Sequence, residues 1–240
     1  MGKNKLTIGI LGGMGPAATV DLYKKIISYT PAECDQDHIR IFIDNNPQIP
    51  DRTDALNNGG ADPVPFMLDS AQKLQNAQVD FIIIPCNTAH AFVPRFANEL
   101  HIPILSMVKV CVDYVLAQHS GIKKVGLLAT TGTVSSNIYT DEFKKHDVSV
   151  ITPGKEFQQD KVMAAIYGEN GIKAGNTSGR PHALLVEAAR QLEQEGAEVI
   201  LMACTEIPLA LHTDDIQIPL LDPTDLLAQA SVKKAFGIKL

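Results

Sequence analysis

The sequence predicts an α/β protein made of two similar halves, and three observations carry that reading. Apolar runs of strand length alternate with segments of helix length along the whole chain. Several of those runs are apolar at every position, as strands covered by helices on both faces are. A short pattern also recurs. Ala77-Gln78-Val79-Asp80, an apolar run and Pro85-Cys86-Asn87-Thr88 are echoed by Gly196-Ala197-Glu198-Val199, an apolar run and Ala203-Cys204-Thr205-Glu206. The echo lies about one small domain further on, so each half presents one cysteine where a strand ends.

The elements follow in order. A strand over 6–11 runs into a glycine-rich turn that opens a helix over 17–29. A strand over 39–43 ends at Asp44 and leads to a long loop, 45–53, whose path two prolines fix. A helix over 63–75 precedes the strand over 81–84, and Cys86 follows that strand. Next come a helix over 94–99, a strand over 102–105 and a helix over 108–119 that contains Cys111. The strand over 124–129 ends in hydroxyls and a glycine, Thr130-Thr131-Gly132-Thr133. A helix over 138–145, a strand over 148–151 and a helix over 157–167, ending at Tyr167, come after it. A helix over 181–194, strands over 199–202 and 218–221 and a helix over 224–236 complete the chain. The division expected is 1–107 with 218–240, carrying Cys86, and 108–217, carrying Cys204. Open parallel sheets bind ligands at the carboxyl ends of their strands, so the site belongs there.

The chain has 240 residues, 45% hydrophobic and 20% charged, values of a folded globular chain rather than a disordered one. With 21 Lys+Arg against 27 Asp+Glu the net charge is −6, which offers no basic field for nucleic acid. No run of Lys/Arg suggests a membrane anchor. The apolar stretch 6–14 is short and broken by glycines, so it reads as a strand and its turn rather than a signal peptide or membrane span. Four cysteines, at 34, 86, 111 and 204, form no CxxC pair and no disulfide framework. A reduced, cytoplasmic protein is the expectation.

Cys86 and Cys204 are the leading candidates. A cysteine between a strand and a helix lies near unpaired backbone N–H groups and the positive end of the helix dipole, and both favour thiolate. Asn87, Thr88 and Thr205 are expected to cap those helices, with N–H groups there that can hold a carboxylate. The plainer alternative is that a free cysteine is a small buried hydrophobe. Cys34, in a polar loop, and Cys111, in an apolar helix, follow no strand and read as incidental.

Gly13, Gly15 and Ala18 fit G-x-G-x-x-A, with Asp44 ending the next strand, a weak dinucleotide signature. Pro16 removes an N–H from that turn and Asp44 lies beyond the usual offset, so a tight strand-to-helix turn is preferred. Arg52 suits a bidentate contact to a carboxylate, or a local pair with Asp51 or Asp54. Lys173 offers a second cation, or is a solvated loop lysine. Cys86 and His90 are four apart, but no second pair joins them, so no metal is expected and His90 reads as a neighbour that tunes the cysteine. Glu206 can orient a thiol or an ammonium group, or simply favours a helix N-terminus.

Two thiols facing one cleft suit racemisation, which needs a base on one side of a stereocentre and an acid on the other. The carbanion must be stabilised by donors on the α-carboxylate. The residues here resemble the aspartate/glutamate racemase family, and its aspartate racemases in particular. The stretches that carry the resemblance are GILGGMGP (9–16), NNPQIPDRT (45–53), PCNTAH (85–90), LLATTGT (127–133), IKAGN (172–176) and ACTE (203–206).

The resemblance implies two pseudo-symmetric α/β domains with the site in the cleft between them. It implies catalytic thiols at Cys86 and Cys204, and no cofactor. It gives Arg52 and Lys173 the substrate's side-chain carboxylate, with Tyr167 nearby. It places Asn87, Thr88, Thr130, Thr131, Thr133 and Thr205 around the α-carboxylate and ammonium, with Gly13 and Met14 at the same site. A small dicarboxylic amino acid is the expected partner, and a homodimer the expected assembly. The alternatives are a related thiol-dependent isomerase or decarboxylase, a non-catalytic dicarboxylate-binding protein and, more distantly, a nicotinamide-dependent oxidoreductase.

Overall fold

The computed structural model describes residues 5–238. Two parallel sheets form its frame. The first contains β1 (Ile8–Gly12), β2 (Ile41–Asn45) and β3 (Phe81–Ile83), in the order β2-β1-β3. The second contains β4 (Lys124–Ala129), β5 (Ser149–Ile151), β6 (Val199–Ala203) and β7 (Leu220–Leu221), in the order β5-β4-β6-β7. Ile82 pairs with Ile104 as Ile200 pairs with Leu220, so the two sheets correspond strand for strand. The expected strand over 102–105 is reduced to that one bridge. Ile82 donates to the Pro103 carbonyl at 2.9 Å and accepts from the Leu105 N–H at 2.9 Å, and the pairing goes no further.

The helices are α1 (Pro16–Tyr29), α2 (Arg52–Asn57), α3 (Val64–Asn76), α4 (Met107–Gln118), α5 (Thr131–Ser135), α6 (Ile138–Lys144), α7 (Lys155–Phe157), α8 (Ala164–Tyr167), α9 (Arg180–Gln194) and α10 (Pro223–Ala235). Proline at the first turn starts α1 and α10, where a missing N–H costs nothing. Ser106 and Asp222 cap α4 and α10 with side-chain oxygens. The expected helix over 94–99 is instead two 3₁₀ turns, Val93–Arg95 and Ala97–Glu99. A π-helical stretch, Gln158–Met163, joins α7 to α8.

Strand alternation builds the layers. Ile8, Ile10, Phe81 and Ile83 point to one side of the first sheet, and Leu11 and Ile82 to the other, where α3 covers them. Val125, Leu127, Val199 and Leu201 point to one side of the second sheet, and Leu128, Ile200 and Met202 to the other, where α9 covers them. The inner sides of both sheets share one core with residues of α1, α4, α6 and α10, among them Leu22, Val112, Phe143 and Leu227. β7 belongs to the second sheet, so of the segment 218–240 it is α10 that packs against α1. Lys25 of α1 bridges Asp21 and Asp222, fastening that contact.

Candidate active site

The strands of each sheet end toward a narrow cavity with about 290 Å³ of empty space, and both candidate cysteines line it. Cys86 lies three residues beyond β3, and Cys204 directly follows β6. They are 6% and 7% exposed. The segments after them are short 3₁₀ turns, Thr88–Ala91 and Ile207–Leu209, rather than α-helices, and neither has a side-chain cap. The expected dipole and capping by Asn87, Thr88 and Thr205 are corrected accordingly. The side chains of those three residues face other partners.

Around Cys204 the electrostatics run against the expected thiolate. Burial, and then the adjacent Glu206 carboxylate, push the Cys204 thiol well above its ordinary range, while Lys173 opposes them. Cys204 Sγ donates to Glu206 Oε2 at 3.0 Å, and Thr205 Oγ1 donates to the same oxygen at 3.2 Å. Lys173 Nζ donates to Glu206 Oε1 at 2.7 Å and lies 5.3 Å from the centre of the Tyr167 ring. Burial raises the Glu206 pKa, but Lys173 and these donors outweigh it, so Glu206 stays ionised below the usual carboxylate value. Burial likewise works against the Lys173 charge, and Glu206 followed by the two cysteines more than compensates.

Around Cys86 the neighbour is Arg52. Burial opposes the guanidinium charge, and Cys86 and Asp51 outweigh that opposition. Arg52 donates to the carbonyls of Ile49, Pro50 and Met14, which fix it across the cavity wall. It makes no local hydrogen bond to Asp51 or Asp54, the plainer expectation. It sits at the first turn of α2, which Asp51 caps by accepting from the Asp54 N–H at 2.8 Å. Two buried donors of the cavity have no partner, Arg52 Nε and Asn87 Nδ2. An unpaired buried donor is costly, so a pair of them on one cavity suits an anionic ligand.

A chain of hydroxyls crosses between the halves. Thr53 Oγ1 donates to Thr130 Oγ1 at 3.3 Å, Thr130 meets Thr88 at 3.1 Å, and Thr88 meets Thr133 at 2.7 Å. Gly132 allows the approach, since a Cβ there would lie 2.7 Å from Thr53 Oγ1. Thr53, Thr88 and Thr130 line the cavity, and Thr133 stands behind them. Thr131 is outside it, with its N–H toward Met163 Sδ.

Met14, Tyr167, Lys173, Thr205 and Glu206 also line the cavity. Tyr167 donates to Asp51 Oδ2 at 3.1 Å, and its pKa is raised by burial and then by Asp51. Gly13 is not at the cavity. It lines a wider hollow of about 1030 Å³ that shares Arg52, Lys173 and Glu206 with the site. Its φ of +94° and a Cβ clash of 2.4 Å with the Asn46 backbone explain the glycine. Its N–H is taken by Thr19 Oγ1 at 2.9 Å, as the tight-turn reading of the glycine pattern expects.

His90 is buried behind Cys86. Met107 N–H donates to its Nε2 at 3.1 Å, so Nδ1 carries the proton and donates to the Cys86 carbonyl at 2.9 Å. Burial lowers its pKa and keeps it neutral. It holds the Cys86 backbone and does not present a ring nitrogen to the thiol. Both nitrogens are used, and among the described residues no group of three or more His, Cys, Asp or Glu is arranged to hold a metal ion. Among those residues no helix is long and apolar enough to cross a membrane.

Comparison with known proteins bears on the fold and the family. A broad-specificity amino-acid racemase of Bacillus subtilis is 30% identical over 234 residues, covering 94% of this chain and 96% of that one. The aspartate racemase of Picrophilus torridus superposes with a TM-score of 0.82 at 30% identity, covering 98% of this chain and 96% of its own. A glutamate racemase of Francisella tularensis shares the fold at a TM-score of 0.71 and 21% identity, covering 98% and 82%. The sequence model of Asp/Glu/hydantoin racemases matches residues 11–231. Two matched parallel sheets, a cysteine from each at one cavity, and a family match across nearly the whole chain lead to one assignment: this chain belongs to the Asp/Glu/hydantoin racemase family.

Proposed function

We propose that the protein interconverts the L and D enantiomers of a dicarboxylic amino acid, aspartate first and glutamate next, without a cofactor. The observation that carries the reading is that Cys86 and Cys204, from different sheets, line one narrow cavity. A thiolate removes the α-proton from one face, and the opposite thiol delivers a proton to the other. The two then hold exchanged protonation states, and the reverse reaction uses them in swapped roles.

Cys204, kept as a thiol by burial and by Glu206, is the acid of the resting state. Cys86, beside the Arg52 guanidinium, is the second thiol of the exchange. Charge moving onto the α-carboxylate is met by donors already in place, Asn87 Nδ2 foremost, so the stabilisation grows toward the transition state. Arg52 and Lys173 supply the cations for a substrate with two carboxylates and offset the chain's net charge of −6 locally. Two free thiols in the site suit a reducing cytoplasm, and the family resemblance supports a homodimer.

The test is incubation with L-aspartate in deuterated water without pyridoxal phosphate, following the α-proton by NMR and chirality by chromatography. Loss of the α-proton signal with growth of D-aspartate is expected. Cys86→Ser and Cys204→Ser are each expected to lower racemisation by about 10²–10⁴-fold, the range for a lost general acid or base. Near-full racemisation by either variant would refute that cysteine's role. Binding of aspartate without exchange in the wild type would favour a non-catalytic dicarboxylate-binding protein.

A further inference from the structure

Asn87 follows Cys86 directly, and its side-chain amide faces two ways. Its Oδ1 accepts a hydrogen bond of 2.5 Å from the Tyr139 hydroxyl, in the core. Its Nδ2 has no partner, and Asn87 lines the cavity. Asn87 is 2% exposed and Tyr139 1%. Tyr139 comes from α6, in the other half of the chain, and its hydroxyl lies 3.8 Å from Cys111 Sγ. An amide can turn over and exchange its donor for its acceptor, and only its partners decide which end faces where. The Tyr139 proton goes to Oδ1 at 2.5 Å, a far better acceptor than the Cys111 sulfur at 3.8 Å, and this favours the orientation in which Oδ1 faces the core.

We infer that Tyr139 is a positioning residue: it holds the Asn87 amide so that Nδ2, not Oδ1, faces the substrate carboxylate. With the amide turned over, a lone pair would face an anion where a donor is needed, and the Tyr139 proton would be left with only the Cys111 sulfur at 3.8 Å. The buried Cys111 thiol completes the pocket around the hydroxyl, which gives this otherwise incidental cysteine a structural place. The inference rests on the racemase reading for its kinetic consequence, and on geometry alone for the orientation of the amide.

Tyr139→Phe removes one oxygen and keeps the ring in the core. It is expected to fold, and to lower kcat/KM for both enantiomers of aspartate about tenfold, the worth of one net hydrogen bond. Because Tyr139 acts through Asn87, the double variant Tyr139→Phe/Asn87→Ala should match Asn87→Ala alone within about twofold. A purely structural tyrosine would give additive losses.

The second readout needs no turnover. In protein labelled with ¹⁵N-asparagine, the Asn87 amide proton pair is identified by its disappearance in Asn87→Asp. In the wild type that pair should shift on titration with succinate. In Tyr139→Phe it should move already without ligand, and succinate should bind about fivefold more weakly or worse. Unchanged kcat/KM in Tyr139→Phe, additive losses in the double variant, or an Asn87 pair that ignores the substitution would each overturn the inference. A wild type that racemises no amino acid would sink the racemase reading, while the amide pair and succinate would still decide the role of Tyr139. Should Tyr139→Phe not fold, the wild-type pair decides. An Asn87 proton pair displaced from the shifts of a solvent-exposed amide, and moved further by succinate, upholds the inference; a pair at solvent-exposed shifts and indifferent to succinate overturns it.

Discussion

At the scale of single residues, Glu206 sets the state of its thiol. It accepts from Cys204, Thr205 and Lys173 at once, and is itself buried. Glu206→Gln removes the carboxylate that, after burial, most raises the Cys204 pKa. Cys204 should therefore ionise at lower pH than in the wild type. The alkaline limb of the kcat/KM profile should move to lower pH, and thiolate absorbance should rise earlier in a pH titration. A profile identical to that of the wild type would show that burial alone controls this thiol.

The cysteine pair itself was legible in the sequence because the pattern around it occurs twice. The partners of its neighbours were not legible. Thr53 reaches Thr130, and Tyr139 reaches Asn87, across sequence separations that no local pattern reports. The expected thiolate at Cys204 failed because a dipole argument carries no information about burial or about which way Glu206 points.

At the scale of elements, the parallel strands were readable from runs apolar at every position, and the long amphipathic helices from their spacing. α2 was not. Six residues after a proline-bearing loop show no helical period, and only the cap marks its start. That cap holds Arg52 in place at one wall of the cavity. Asp51→Ala should cost about 1 kcal/mol, measured as a lowered urea midpoint at unchanged m. It also removes the acceptor of the Tyr167 hydroxyl, so the substrate KM should rise. A midpoint equal to the wild type would mean that the Arg52 contacts to three carbonyls suffice to hold the turn.

At the scale of the whole molecule, the common core carries buried groups that resist ionisation. Burial pushes the Cys111 thiol up to about 12 from an ordinary 9.0. The folded state keeps that proton where the unfolded chain has lost it. Its contribution is therefore complete below pH 9 and is lost as pH rises toward 12. Across that window the slope is about 1.4 kcal/mol per pH unit for this one group. Cys204 and Tyr139 are shifted in the same direction and steepen the fall. Cys111→Ala should be less stable at neutral pH, yet lose stability more slowly above pH 9 in denaturant titrations at successive pH values. Equal slopes would place the Cys111 ionisation elsewhere.

The layer of α1, α4, α6 and α10 touches the inner face of both sheets. β3 and β6, the strands that lead to Cys86 and Cys204, both rest on it through Phe81, Ile83, Val199 and Leu201. The separation of the two strands is then set by a thickness of packed hydrocarbon, fixed as firmly as side chains such as Leu227 and Val112 fit together. A methyl group removed in that layer, far from any polar atom of the cavity, alters the width of the cleft that the two cysteines line.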